Sequence, residues 1–547
     1  MATTKTIAVL NDADLKDGQM KEVEFESGKV LVTRLGDKVH ATSVFCTHYG
    51  APLAKGVLTS NGRVVCPWHG ACFNVCTGDI EDAPAPTAIH SFRAEAKDGK
   101  IYVTADPSKT TKDEKERAPK LLSSGTEGSG KGVVIIGGGS ATYHAIESLR
   151  EHGYPHPITV LSKEPHMPID RTKLSKALIT DASKLEWRNA SDLKLRYNAN
   201  FRISTTATSI NFPFKTITLE NGETVEYDKL ILATGGQPKS LPIEGADLEN
   251  VYTFRGVEDA KKIDKAAQEG KNFVVIGSSF IGMEIVGAVA KRKLASIDVI
   301  SMDEFPFEAN LGKEVGAGLK KYYEGQGAKF HMQASIEKIE GSDGKATAVI
   351  LKGGERVPAD FVLMAVGVAP VTQILKQSLL QQEQSSVELE KDGSVKVDEY
   401  LRVPGLQDVY AVGDIAMYPY KGEYRRIEHW NVAGNHGRAV GKTIAGSPQP
   451  FLKVPVFWSG QGVRYCGLGA KFDEVILQGD PSSKFVAFYV QSGKIVAVAS
   501  MKTDPVVSHC SELLRLELMP SPEEIKAGKD VLSVDISTVG SRARVGA

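Results

Sequence analysis

Residues 46–76 read CTHYGAPLAKGVLTSNGRVVCPWHGACFNVC, a stretch holding two short loops that each offer one thiolate and one imidazole. The first is Cys46-Thr-His48 and the second is Cys66-Pro-Trp-His69. Four such donors match a two-iron, two-sulfide cluster with two Cys on one iron and two His on the other. Gly50 and Gly70 follow the two imidazoles and suit tight loops whose backbone N–H groups approach sulfur. Two plainer readings compete. A zinc site usually sets its Cys two to four residues apart and separates its two His, whereas each loop here mixes the two types. The other is four residues that simply pack.

The ligand order, both spacings and the Pro-Trp filler resemble a Rieske ferredoxin. That resemblance makes Cys46, His48, Cys66 and His69 the expected cluster ligands, with imidazole ligation raising the potential. High-potential Rieske proteins add a Cys to each ligand loop and join the two as a disulfide. Here the first loop continues Tyr49-Gly50-Ala51, and positions 67 and 68 are Pro and Trp. A lower-potential, ferredoxin-like cluster is therefore expected, suited to accepting electrons from a flavin. Cys72 and Cys76 read as packed thiols.

The chain of 547 residues has room for about three or four domains. Its 66 Lys and Arg balance 67 Asp and Glu, which gives no reason to expect nucleic acid or an acidic membrane as partner. Six Cys do not make a disulfide scaffold at this length, so a reducing compartment fits. The N-terminus lacks the signature of a secretory signal and is too acidic for a transit peptide. No apolar run approaches the roughly 20 residues that span a bilayer. The expectation is a soluble intracellular protein, cytoplasmic by default, with mitochondrial association and the choice of monomer or homodimer left open.

Residues 1–105 alternate apolar and polar in short runs broken by Gly and Asp, the pattern of a small all-β domain. Residues 106–131 are charged and then Ser/Gly-rich, which predicts a flexible linker that lets a cluster domain move. From residue 132 an apolar strand runs into Gly137-x-Gly139-x-x-Thr142 and a helical pattern. This is a dinucleotide-binding turn, in which Gly137, Gly139, Ser140 and Ala141 approach a pyrophosphate at a helix N-terminus. Thr142, in place of Gly or Ala, predicts slightly looser helix–strand packing. The next strand ends at Glu164, placed for an adenosine ribose.

A second copy spans residues 273–293, with Gly277 and Gly282 as outer glycines, Ser279 in the middle position, and Phe280 and Ile281 opening the helix. Its next strand has Ser301 at the usual acidic position and Asp303 two residues on. The run Met302-Asp303-Glu304 would repel a 2′-phosphate, which favours NADH over NADPH. Ala233-Thr234-Gly235 and the turn at Gly367 read as closing turns of the two nucleotide folds. In VYAVGDIA, Gly413 precedes Asp414, whose carboxylate suits a flavin ribityl hydroxyl.

With EPHMPIDRTKLSK, RIEHWNVAGNHGRAVG and VPVFWS added, the chain resembles the apoptosis-inducing-factor-like flavoprotein reductases with a fused Rieske domain, within the pyridine nucleotide-disulfide oxidoreductases. The resemblance implies a multidomain fold with an all-β Rieske domain (1–105). An α/β FAD-binding domain (132–253 and 386–454) would be split by an NAD(H)-binding domain (254–385), and a C-terminal α/β domain (455–547) would follow. It implies that Arg171 binds the flavin pyrophosphate and that Lys176 lies by the flavin N5, paired with Glu284. His429 and Trp430 would stand in the flavin wall at the start of a helix whose positive end faces the ring, with Trp458 stacking nearby. A surface ion pair, a core histidine and a core tryptophan are the plainer alternatives for these groups.

After the first dinucleotide fold only Cys466 and Cys510 remain, far apart in sequence, which argues against thiol–disulfide chemistry. The implied activity is transfer from NADH through FAD to the cluster and on to an unidentified acceptor, protein or small molecule. An NADH-sensing signalling protein and a flavin reductase with a purely structural Rieske domain are the alternatives.

Overall fold

The computed structural model describes residues 4–382, 387–469 and 471–536. The expected junction at 385/386 and residues 537–547 of the expected C-terminal domain lie outside the described residues. Within Lys5–Ala105 a six-stranded antiparallel sheet runs in the order Lys5–Asn11, Lys100–Ala105, Ser91–Lys97, Lys38–Ser43, Gly28–Leu35 and Met20–Phe25. Alternation decides its faces: in Lys100–Ala105, Ile101, Val103 and Ala105 are buried while their neighbours are not. A four-stranded sheet (Val57–Leu58, Arg63–Val65, Cys72–Asn74, Ile80–Asp82) carries the second Cys/His loop between its middle strands. Cys72 is buried there as expected, but Cys76 is exposed, with its Sγ 3.6 Å from His40 Nε2.

Two parallel five-stranded sheets follow. The first has the order Ala199–Arg202, Ile158–Leu161, Val133–Ile136, Lys229–Leu232 and Val409–Ala411. Its central strand is buried throughout, as a strand covered on both faces must be. The last strand arrives after an intervening sheet, ordered Val251–Tyr252, Phe361–Met364, Asn272–Ile276, Ser296–Ile300 and Ala328–His331. A C-terminal antiparallel sheet (Val456–Trp458, Val463–Gly467, Lys494–Met501, Lys484–Gln491, Glu474–Asp480) is followed by the helices Val506–Leu516 and Pro522–Lys526.

Thr142 does not loosen the first dinucleotide turn. Its side chain is fully buried and its Oγ1 donates to Gly137 O at 2.7 Å, so the hydroxyl is satisfied inside the turn. The helix Ser140–Glu151 packs closely on Trp430–Ile444, and glycines permit the approach. A Cβ at Gly437 would meet Ala141 O at 2.1 Å, and one at Gly441 would meet Ser148 Cβ at 2.6 Å.

The segment expected as a flexible linker is tied at both ends. Glu116–Arg117 pairs antiparallel with Ala88–Ile89 of the N-terminal unit. Further on, Leu122 N donates to Arg150 O, and Lys131 N donates to Asp228 Oδ2 at 2.8 Å. Composition marked the stretch as polar, but backbone groups that can pair do so when a partner edge lies alongside. The N-terminal unit is also docked directly. Val57, Val65 and Cys72 share an apolar core with Val456 and Val507. Across the same boundary, Tyr143 Oη donates to Pro86 O (2.6 Å), Arg438 Nη2 to Ile80 O (2.8 Å) and Ser508 Oγ to Cys66 O (2.9 Å).

Candidate functional site

The two Cys/His loops close in the same way. Cys46 N donates to Ala51 O and Gly50 N to Cys46 O, while Cys66 N donates to Ala71 O and Gly70 N to Cys66 O. Gly50 and Gly70 take the left-handed φ that this closure needs, at +72° and +71°. The turns aim the backbone N–H groups of His48 and Tyr49 at the Cys46 sulfur, and those of Trp68 and His69 at Cys66. The buried Cys46 and Cys66 thiols lie close enough to influence one another electrostatically, and His48 Nδ1 lies 3.1 Å from His69 Nδ1.

The donors thus form one sulfur pair and one nitrogen pair. Among the described residues no three His, Cys, Asp or Glu side chains close around a single ion. That pairing fits a two-iron cluster, where each iron takes two protein ligands. Burial, outweighing the opposite pull of Asp170, holds His48 down to about 4, and burial likewise holds His69 low. Both imidazoles are neutral at pH 7, the form that ligates metal.

A cleft of about 1550 Å³ runs between the parallel sheets and the C-terminal sheet. It exceeds the ~300–1,000 Å³ of a single small-ligand pocket. Gly137, Gly139, Ser140 and Ala141 line it at the first dinucleotide turn, and Ala233, Thr234 and Gly235 line it beside that turn. Nothing stands within 4 Å of where a Gly139 Cβ would sit, so the backbone is open to a close ligand at the N-terminus of Ser140–Glu151.

Glu164, Arg171, Gly413 and Asp414 also face the cleft. Arg171 Nη2 donates to both Glu164 oxygens at 2.7 Å. Against the burial of its carboxyl, this guanidinium holds Glu164 below its ordinary value. Asp414 is paired by Arg255, whose Nη2 donates to Asp414 Oδ2 at 2.7 Å. Arg255 was not found from sequence, where it is a lone Arg before a helix. This is a donor set that fits a flavin dinucleotide: two guanidiniums for phosphate, two carboxylates for ribose and ribityl hydroxyls, and a Gly-lined helix start.

Lys176 and Glu284 meet on the cleft wall, with Nζ 3.1 Å from Oε1. Ser175 Oγ and Gly460 N both donate to the same carboxylate, and neither was singled out from sequence. His429 and Trp430 line the cleft where Trp430–Ile444 begins. His429 is the N-cap, its Nδ1 accepting from Asn431 N at 3.2 Å. Burial and then the charge of Lys176 hold its imidazole down to about 3.

In the second nucleotide fold Ser279, Phe280, Ile281 and Glu284 reach the cleft, while Gly277, Gly282, Gly367 and Asp303 do not line it. Gly277 and Gly367 have left-handed φ, and a Cβ at Gly277 would meet Ala365 O at 2.4 Å. Gly282 packs on Ala365. Ser279, at the position where Gly is usual, is exposed and so fits without crowding. Asp303 accepts from Ser301 Oγ at 3.2 Å.

Trp458 is the wall shared by the cleft and the Cys/His loops. Its ring lies 4.4 Å from His69, 5.7 Å from His48 and 4.9 Å from His429. Trp430 adds a second contact, 6.4 Å from His48.

A two-fold α/β flavin-nucleotide architecture, a fused all-β Cys/His-loop unit and a C-terminal sheet define a Rieske-containing flavoprotein reductase. The family model "Pyridine nucleotide-disulphide oxidoreductase" matches residues 131–437, "Rieske [2Fe-2S] domain" matches 5–93 and "Reductase C-terminal" matches 456–532. The chain belongs to the pyridine nucleotide-disulphide oxidoreductase family, in its apoptosis-inducing-factor-like group with a Rieske domain.

Apoptosis-inducing factor 3 of Homo sapiens is 38% identical over 518 residues, 93% of this chain and 83% of that protein. Rhodocoxin reductase of Rhodococcus erythropolis is 29% identical, covering 72% of this chain and 91% of that protein. The crystal structure of a ferredoxin reductase from Rhodopseudomonas palustris superimposes with a TM-score of 0.68 at 26% identity, covering 75% of this chain and all of that one. The protein is an FAD-dependent NADH oxidoreductase engaged in electron transfer, with a Rieske [2Fe–2S] cluster as further cofactor. Among the described residues no helix is long and apolar enough to cross a membrane.

Proposed function

We propose that electrons from NADH pass through FAD to a Rieske cluster held by Cys46, His48, Cys66 and His69, and from there to a separate one-electron acceptor. The observation that carries this reading is Trp458, in ring contact with His69 on one side and lining the cleft on the other. The bound flavin supplies the conversion of a two-electron hydride into single electrons, the form a [2Fe–2S] cluster takes up.

The residues prepare the site for that chemistry. Arg171 and Arg255 are placed to bind a pyrophosphate, with Glu164 and Asp414 released to sugar hydroxyls. Ser279, Phe280 and Ile281 are placed to receive the nicotinamide nucleotide. Lys176, fixed by Glu284, puts a cation where negative charge arrives with hydride, and the N-terminus of Trp430–Ile444 points positive in the same direction. Neutral His429 caps that helix, and the buried indole of Trp458 fills the space between the cleft and the cluster loops.

Relatives carry names such as rhodocoxin reductase and rubredoxin-NAD(+) reductase. By analogy a ferredoxin-type protein is the acceptor class we favour, with the fused Rieske unit as the built-in first carrier.

The test is an anaerobic NADH titration followed by optical and low-temperature EPR spectra. A reduced-cluster signal should grow as the flavin bleaches, and His69→Ala should retain the bleaching but lose one-electron acceptor reduction. Flavin bleaching with an oxidised, EPR-silent cluster in the native protein would replace this reading with the sensing one.

A further inference from the structure

A metal-ligating imidazole usually gives its second ring N–H to a carboxylate, a carbonyl or water, which sets its tautomer and orientation. In His48 the Nδ1 atom is the one turned to the partner ligand His69, which leaves Nε2. The His48 side chain is 1% exposed, so bulk water does not serve that nitrogen, and Nε2 is buried without a hydrogen-bond partner. The acid facing it, Asp170 Oδ2 at 3.9 Å, comes from the reductase part of the chain.

Asp170 is itself fully buried and rigidly held. Thr172 donates to its Oδ1 through both Oγ1 (2.6 Å) and the backbone N (3.2 Å), and Tyr49 donates to Oδ2. The Tyr49 ring stacks on His48 with centroids 3.8 Å apart. Asp170 therefore contacts the cluster loop twice, at His48 and at its neighbour. It also lies six positions before Lys176, so one short segment faces the cluster loop at one end and the flavin cleft at the other.

We propose that Asp170 is the positioning residue of His48 and that its charge lowers the reduction potential of the cluster. This rests on His48 being a cluster ligand. Reduction adds negative charge beside the imidazole, and a fixed carboxylate in a dry interface opposes that addition. Lys173, 3.8 Å from the same oxygen, and Lys176 act in the opposite sense, as Arg464 does near His69. The contribution of Asp170 is therefore measured by removing its charge alone.

The experiment is an EPR-monitored redox titration of full-length Asp170→Asn beside the native protein. Asn keeps the acceptor for Thr172 and turns its NH₂ to the Tyr49 hydroxyl, which can accept as well as donate, while removing the charge. The potential should move upward by a tenfold change in the reduction equilibrium, about 59 mV for one electron. Tyr49→Phe should move it downward, because the carboxylate then loses a donor that offsets its charge. An unchanged potential in Asp170→Asn with a full cluster signal overturns the proposal. Where that variant does not load a cluster, an unchanged or raised potential in Tyr49→Phe overturns it instead. Absence of the Rieske signal in the native protein would instead sink the ligand assignment on which it stands.

Discussion

The rings of His69 and Trp458 stand 4.4 Å apart, centroid to centroid, although 389 positions separate them in the chain. One belongs to the candidate cluster loop and the other to the wall of the nucleotide cleft. No domain movement is needed to bring these two surfaces together, because the Rieske unit is already seated through a shared apolar core and backbone hydrogen bonds.

Trp458→Leu should separate the two redox steps. Flavin bleaching by NADH should keep its rate within about twofold, while reduction of the cluster slows by about tenfold, a barrier change of ~1.4 kcal/mol. Stopped-flow absorbance resolves both phases. Equal slowing of both would mean that Trp458 merely supports the flavin site.

Lys176→Met should lower the rate of flavin reduction by on the order of 10²–10³, the effect of removing one fixed electrostatic stabiliser from a reacting centre. Glu284→Gln should also impair it. Both Glu284 oxygens accept from donors, so the amide of Gln would turn its NH₂ against one of them. Rapid-mix kinetics with NADH, at FAD content matched to the native protein, checks both. A native rate in Lys176→Met would return the pair to the status of an ordinary ion pair.

Glu147 should make stability fall as pH rises. Burial, and then the nearby Glu151, push its carboxyl from 4.5 up to about 8, despite Arg438 Nη1 at 3.6 Å. Below pH 4.5 both folded and unfolded chains hold the proton. Between 4.5 and 8 the folded chain binds more protons, so stability drops through that window and levels off above it. Glu147→Gln should flatten this slope and be the more stable protein at pH 9 by on the order of a few kcal/mol. Denaturant midpoints measured from pH 5 to 9 give the answer, and parallel curves would refute it.

Gly437→Ala should cost about 1–3 kcal/mol, because its methyl group would meet the Ala141 carbonyl oxygen at 2.1 Å in a closely packed helix seam. Since Ser140–Glu151 starts at the dinucleotide turn, the purified variant should also retain less FAD. Melting temperature and the flavin-to-protein absorbance ratio test the two effects, and a native value for both would show that the helices slide apart freely.

The sequence by itself carried whatever depends on neighbours a few residues apart. Cys46-x-His48 and Cys66-x-x-His69 announce two loops, each closed by a glycine that must take a left-handed φ. Gly137 and Gly277 announce two strand-to-helix turns for the same steric reason. With the apolar/polar alternation of residues 1–105 they predict an all-β unit and two nucleotide folds, while the C-terminal α/β unit was implied by the family resemblance.

What only the tertiary structure decided is which of these surfaces meet. The polar 106–131 stretch reads as a free tether until a strand edge at Ala88–Ile89 lies beside it. Arg255 has no motif of its own and becomes visible when Asp414, 159 positions later, points at it. Ser175 and Gly460 come to Glu284, and Asp170 to His48, in the same way, from positions far apart in the chain. Local spacing limits the turns a chain can make, whereas burial of apolar faces brings distant side chains together, and no short-range pattern encodes that second step.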